Sequence, residues 1–330
     1  MAAPGDVPSM AAPVDVPSMA ASVDVPSMAA SVDAPSKAAQ GDAPSMAAQG
    51  GAPSKASVGP GLYSDIGKKA RDLLSKDFNT NQKLTLTTYA KNGAAITTTS
   101  TKKDEAILSE IQTQFKYNKV KVDVKANSDS QVSITTTTED LGLPGMKQIV
   151  TIPFPYQKAG KTELQYLHDY AGVSLGLGMN SKPLINFSAV VGTKALAAGA
   201  DVAYDSASGD FTKYNAGVSF NKGDLLTAVM LNNKGDSLSA SFYQMVNEQT
   251  AVGMELARSF SSKENTTTFG FQHSLDPLTT VKARYNNLGM VSALVQHKLR
   301  PKSLLTISTE FDTKAIEKSS KIGLSLALKP

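Results

Sequence analysis

From Gln82 onward, apolar and polar residues alternate in short blocks separated by turn-forming residues, the period-two signature of β-strands with two different faces. At 119–126, Lys119, Lys121, Asp123 and Lys125 interleave with Val120, Val122, Val124 and Ala126. At 171–180, Ala171, Val173, Leu175, Leu177 and Met179 alternate with Gly172, Ser174, Gly176, Gly178 and Asn180. At 322–329, Ile322, Leu324, Leu326 and Leu328 alternate with Gly323, Ser325, Ala327 and Lys329. The pattern predicts strands over 82–91, 93–102, 105–116, 118–127, 130–138, 147–155, 161–169, 171–179, 183–192, 194–204, 211–220, 223–231, 236–245, 249–258, 265–273, 278–286, 289–298, 302–311 and 319–328. Turn signals punctuate them, among them Asn92-Gly93, Asp276-Pro277 and Arg300-Pro301. The span 105–116 also suits a helix, through Ala106, Ile107, Leu108 and Ile111.

One stretch has a helical period instead. In 62–77, Leu62, Ile66, Ala70, Leu73 and Leu74 fall on one face, with Lys68, Lys69, Arg71 and Asp72 around the rest. Gly67 weakens its middle and permits a bend. A basic amphipathic helix of this kind packs on a sheet or lies on a lipid surface.

Residues 1–54 are six nonapeptides on the frame (Met/Lys)-Ala-Ala-x-x-Asp-x-Pro-Ser, with Gly51 in place of the last Asp. A proline every nine residues forbids a long helix, and no aromatic is present to anchor a core. The sequence therefore divides into a low-complexity tail over 1–58 for which disorder is expected, a helical segment over 59–78 and a strand-rich body over 79–330. The tail has no Arg and carries five Asp, unlike a mitochondrial transit peptide.

Composition narrows the function classes. The chain has 330 residues and no cysteine, which excludes disulfides, thiolate metal sites and cysteine nucleophiles. His168, His273 and His297 lack metal-ligand spacing, and no nucleophile–base set is present, so neither an enzyme nor a metal or cofactor site is expected. The net charge of +4 is too small and scattered to signal nucleic-acid binding. No apolar run approaches the roughly 18–20 residues of a membrane-spanning helix. About nineteen uniform strands are too many for one soluble sandwich, whose core would need more than the 6% aromatics available. A single closed sheet with an apolar outer face and a wet interior meets both constraints. At ~19 strands spaced about 4.8 Å apart and tilted about 40°, it would be roughly 35–40 Å across.

Six ordered blocks tie the chain to a known family: GPGLYSDIGKKARDLL at 59–74, LQYLHDYAG at 164–172, GDFTKYNAGVSF at 209–220, LNNKGDSLSASFY at 231–243, LDPLTTVKARYNN at 275–287 and RPKSLLTIS at 300–308. From about Gly59 to Pro330 the chain resembles the mitochondrial voltage-dependent anion channels, the eukaryotic outer-membrane porins, and most of all their plant members. The resemblance implies an all-β transmembrane barrel of nineteen strands, antiparallel except for a parallel first/last closing pair, with the amphipathic helix inside the lumen.

The family's Gly-Leu-Lys motif, proposed to touch nucleotide, is matched by Gly145, Met146 and Lys147. Its C-terminal sorting signal is matched by Lys321, Gly323, Leu326 and Leu328. Animal members carry a lipid-facing Glu in an early strand; the matching region 119–126 presents Val on that face, so functions tied to that Glu are not carried over.

The implied function is a voltage-gated, weakly anion-selective channel for passive diffusion of ions, nucleotides such as ATP and ADP, and carboxylates across the mitochondrial outer membrane. Expected pore-lining residues are Lys68, Lys69 and Arg71 on the helix and Lys119, Lys121, Lys125, Lys282 and Arg284 on strands. A net positive wall favours anions, and salt screening over about 8–10 Å makes that a bias in a wide pore. Expected partners are membrane lipid, the permeating anions, further copies of the chain and soluble docking enzymes. The alternatives are a protein-translocating barrel of the same fold and a membrane docking platform.

Overall fold

The computed structural model describes residues 59–91, 93–103, 105–300, 302–315 and 320–329; the repeat region over 1–58 lies outside the described residues. Among the described residues nineteen strands follow one another along the chain. They are β1 (Gln82–Tyr89), β2 (Ala95–Lys103), β3 (Ala106–Tyr117), β4 (Val120–Asn127), β5 (Val132–Glu139), β6 (Met146–Phe154) and β7 (Lys161–Leu167). Next come β8 (Ala171–Gly178), β9 (Leu184–Gly192), β10 (Leu196–Asp205), β11 (Asp210–Lys222), β12 (Leu225–Asn232) and β13 (Ser237–Asn247). The last are β14 (Thr250–Ser259), β15 (Asn265–Asp276), β16 (Thr279–Asn286), β17 (Met290–Arg300), β18 (Ser303–Asp312) and β19 (Lys321–Leu328). The sequence pattern located every one within a few residues, and 106–117 is a strand.

Each strand pairs antiparallel with its chain neighbour, and β19 pairs parallel with β1 in the register Leu84↔Leu326 and Leu86↔Leu328. The sheet therefore closes on itself and leaves no edge. Among the described residues no helix is long and apolar enough to cross a membrane; the chain crosses with strands.

Strand pairing carries one parity around the whole ring. The outer face presents Leu84, Leu86, Phe187, Val218, Val229, Met254, Phe269, Tyr285, Ile307 and Leu324, all exposed. That is the apolar belt a barrel turns to lipid. On β4 it presents Val120, Val122 and Val124. From β2 to β6 the belt is interrupted by Thr98, Ser100, Thr113, Thr136 and Thr138. The opposite parity carries most of the strand charges, among them Lys121, Asp123, Lys125, Glu163, Asp201, Lys213, Lys282, Arg284 and Glu310.

The segment before β1 departs from a single helix over 62–77. A 3-10 turn at Tyr63–Asp65 is followed by Gly67 in the left-handed region (φ +68°), and only Lys68–Ser75 forms the α-helix α1. Gly67 breaks the helix because the chain must turn between two patches of wall, and only a residue without Cβ adopts that φ at little cost. The apolar face is as the period indicates: Ile66, Ala70, Leu73 and Leu74 are buried. They pack against the sheet, so the packed-helix reading holds over the lipid-surface one.

Candidate functional site

The segment 59–81 lies along the charged inner face and crosses it from one rim to the other. It begins at the rim where β1 ends: a Cβ on Gly59 would strike the backbone of His168 and Asp169 in the β7–β8 turn. Tyr63 and Ile66 pack with Val190, Ala197, Ala228 and Met230, and Leu73 and Leu74 with Ala251 and Tyr243. It ends beside Gly323 on β19, at the rim where β1 starts.

The wall under this path is furrowed by glycine. A Cβ on Gly172 would overlap the Gly61 carbonyl oxygen, and one on Gly323 the Asn79 carbonyl oxygen. Between them, a Cβ would lie 3.1 Å from Tyr63 at Gly199, 3.4 Å from Ile66 at Gly217, 3.2 Å from Leu73 at Gly253 and 2.6 Å from Leu74 at Gly270. Six inward positions on β8, β10, β11, β14, β15 and β19 thus lack side chains where the segment needs the space. A bare inward stripe would leave a wide, hydrated wall; the segment fills it and buries four large side chains, each stabilising by about 1.5–3 kcal/mol.

Polar latches hold the second half. Arg284 Nη1 donates to the Leu74 carbonyl at 2.9 Å, its Nη2 to Glu310 Oε2 at 3.0 Å and its Nε to Ser292 Oγ at 3.1 Å. Its guanidinium also lies 4.7 Å from the Phe78 ring centroid. Lys282, nearly buried, reaches Asp77 at 3.4 Å. Ser308 Oγ donates to the Asn79 carbonyl. Lys282 and Arg284 share the inner face, as the alternation implies, yet both are engaged with the segment.

The helix cations divide differently. Lys68 and Lys69 are exposed to the bore; Lys68 pairs loosely with Asp65 at 3.4 Å, and the Lys69 ammonium sits 5.9 Å from the Tyr243 ring. Arg71 is half-buried and folds back to donate to the Ser64 carbonyl at 2.9 Å. Tyr63 Oη is buried without a hydrogen-bond partner.

On β4 and its flanks every expected lysine has a carboxylate beside it. Lys121 meets Asp123 at 3.4 Å, Lys125 meets Glu110 at 3.5 Å, and Lys119, in the turn before the strand, meets Asp140 at 3.3 Å. Lys213 and Asp201 pair at 2.5 Å further round. These cations of the inner face are thus compensated, and its positive excess is smaller than a lysine count implies.

Asp140 also brings the Gly-Met-Lys triplet to this place. The Gly145 N–H lies 3.4 Å from Asp140 Oδ1 and, with Lys119, holds that carboxyl below its usual range. Met146 faces outward and Lys147 inward, opposite Glu139. In the C-terminal stretch, Lys321 opens β19 at the rim, Gly323 seats Asn79, and Leu326 and Leu328 lie on the outer face of the parallel seam.

Reasoning from sequence missed Asp77, Phe78, Asn79 and Glu310 as partners, because they meet Lys282, Arg284 and Gly323 only after the ring closes. It also missed the furrow, for which a signal exists: Gly172, Gly199, Gly217, Gly253, Gly270 and Gly323 all fall on the polar parity. Among the described residues no group of His, Cys, Asp or Glu is arranged to hold a metal ion.

The sequence profile described as "Eukaryotic porin" matches residues 59–323. "Mitochondrial outer membrane protein porin 4" of Oryza sativa subsp. japonica is 68% identical over 274 residues, 82% of this chain and 86% of its own length. "Mitochondrial outer membrane protein porin 2" of the same plant is 66% identical over 272 residues, covering 82% and 97%. A Zea mays protein named "Outer plastidial membrane protein porin" is 56% identical over 274 residues, covering 82% and 99%. With the family's profile spanning nearly all of the described body and such relatives matched almost end to end, the chain belongs to the eukaryotic porin family.

Proposed function

We propose that this chain is a voltage-gated, weakly anion-selective channel of the mitochondrial outer membrane that passes ions, nucleotides such as ATP and ADP, and carboxylates down their gradients. The passive channel itself follows from the family and from a closed barrel with a charged interior. The membrane is the one named for the rice relatives. The observation that supports anion preference is the placement of Lys68 and Lys69, exposed on an inner segment, over a wall on which Lys121, Lys125 and Lys213 are paired with carboxylates. Their field lowers the energy of an anion in the bore, and salt screens it over about 8–10 Å, which keeps the preference weak. Lys147 at the rim is the proposed first contact for a nucleotide phosphate, with Gly145 setting the turn that presents it.

Voltage sensitivity follows from moving charge across the field, about 2.3 kcal/mol per elementary charge per 100 mV. The inner segment, with its charges and its release from a furrow, is the proposed moving element. The test is the full chain in a planar bilayer under a salt gradient. A reversal potential of anion sign that falls toward zero in Lys68→Gln/Lys69→Gln is expected; a potential unmoved by that pair refutes the assignment.

A further inference from the structure

At the rim where β1 starts, a pocket beside the parallel seam is lined by Thr80, Asn81, Gln82, Lys102, Lys103, Lys321 and Ile322. Its volume is about 450 Å³. It gathers three lysines from two strands that β1 holds apart, and among the described residues no ion pair to a carboxylate is formed by Lys102, Lys103 or Lys321. Lys102 falls on the outer parity and Lys103 and Lys321 on the inner one, where by contrast Lys116, Lys121, Lys125, Lys213 and Lys282 each have a carboxylate within 3.5 Å. Three like charges around one cavity repel, and a bound anion relieves that repulsion. The pocket's remaining polar groups, the Thr80 hydroxyl and the Asn81 and Gln82 amides, supply further donors.

We propose that this pocket is a phosphate-binding site, filled by the headgroup of an anionic phospholipid. The lipid source follows from what adjoins the pocket. On the outer face Lys102 sits in a register row with Leu324, Gln82 and Ile107, and Ile322 lies one step toward the rim from Leu324. Ile107 and Ile322 are 64% and 72% exposed. A cationic pocket at the rim thus borders bare aliphatic surface on the lipid side, which fits a headgroup with its acyl chains running down the wall. A soluble phosphate would use the lysines and leave the aliphatic row unused.

The test uses the full chain refolded in an amine-oxide detergent, which carries no phosphate. Dioleoyl phosphatidic acid is titrated in and the lipid retained is counted by native mass spectrometry; inorganic phosphate is then added as competitor. One lipid per chain is expected, weakened about fivefold by each of Lys102→Gln, Lys103→Gln and Lys321→Gln and about a hundredfold by the three together, from about 1 kcal/mol per cation. Circular dichroism reports whether each variant forms the barrel, and the single substitutions carry the test if the triple one does not. Resistance to millimolar inorganic phosphate supports the lipid; displacement by it keeps the phosphate site and overturns the lipid source. Equal retention by wild type and variants overturns the site, as does equal loss in the distant set Lys182→Gln/Lys222→Gln/Lys263→Gln.

Discussion

Adding one methyl group at each end of the furrow tests whether glycine seats the inner segment. In Gly172→Ala and Gly323→Ala the new Cβ falls on the carbonyl oxygens of Gly61 and Asn79, both backbone atoms with no rotamer to escape into. An ordinary carbon–oxygen contact needs about 3.3 Å, so the segment must retreat by at least about 1 Å. At the Gly323 end that retreat strains three interactions: the Ser308–Asn79 hydrogen bond, the Lys282–Asp77 pair and the Arg284–Phe78 contact. At about 1 kcal/mol for each, the loss is roughly 2–3 kcal/mol, or a 30- to 150-fold shift from seated to free segment. The barrel is expected to survive, since alanine is the better strand residue by about 0.5–1 kcal/mol where space permits.

The chain has no cysteine, so a nitroxide on Ser75→Cys is the only label, and it sits on the exposed side of α1. A mobile spectral component and noisier single-channel conductance are expected in both alanine variants. Gly176→Ala is the control: it faces inward, but its nearest neighbour, Asn186 Cβ, is 3.5 Å away and it lies off the path. Spectra and conductance in Gly323→Ala matching those of Gly176→Ala would refute the reasoning.

Removing carboxylates from the β3–β4 wall in Glu110→Gln/Asp123→Asn leaves Lys125 and Lys121 uncompensated; the reversal potential should move toward anion selectivity, more at 0.1 M than at 1 M salt. Charge reversal in Lys282→Glu/Arg284→Glu is expected to loosen the segment first, because removing one partner of a nearly buried pair costs up to about 3 kcal/mol; the Ser75 label reports it alongside the reversal potential. Tyr63→Phe should leave docking at pH 7 unweakened in the same label assay, since the buried hydroxyl has no partner. The Asp236 carboxylate, held low chiefly by the Ser261 hydroxyl, should titrate nearer its ordinary 3.8 in Ser261→Ala when followed by carboxyl-carbon NMR.

The strands were legible because each face meets one environment over most of its length, so alternation marks them from Gln82 to Leu328 despite the polar outer positions of β2–β6 and inward apolar residues such as Val190 under the inner segment. The helix was half legible. Its apolar spacing marked Ile66, Leu73 and Leu74 and Gly67 marked where it could bend, but that the bend is a full break follows from reaching both the Val190–Met230 and the Ala251–Tyr243 patches, which the local pattern does not encode. The site lysines were legible as inward-facing and illegible as charges. Whether Lys125 is free depends on Glu110 lying across β3–β4, and whether Lys282 is free depends on Asp77, 205 positions away.

The odd number of strands settles which side of the membrane a reporter would see. In a barrel made only of hairpins the first and last strands open and finish at a common rim; here the parallel seam sends β19 up beside β1, so residue 329 emerges opposite to where β1 starts, its ammonium 5.0 Å from the Tyr89 ring. The inner segment undoes that separation by running back through the bore, bringing Gly59 to the same mouth, against the β7–β8 turn. Fusions placed just ahead of residue 59 and just after residue 329 would therefore occupy a single aqueous compartment, and a protease confined to it would clip both or neither.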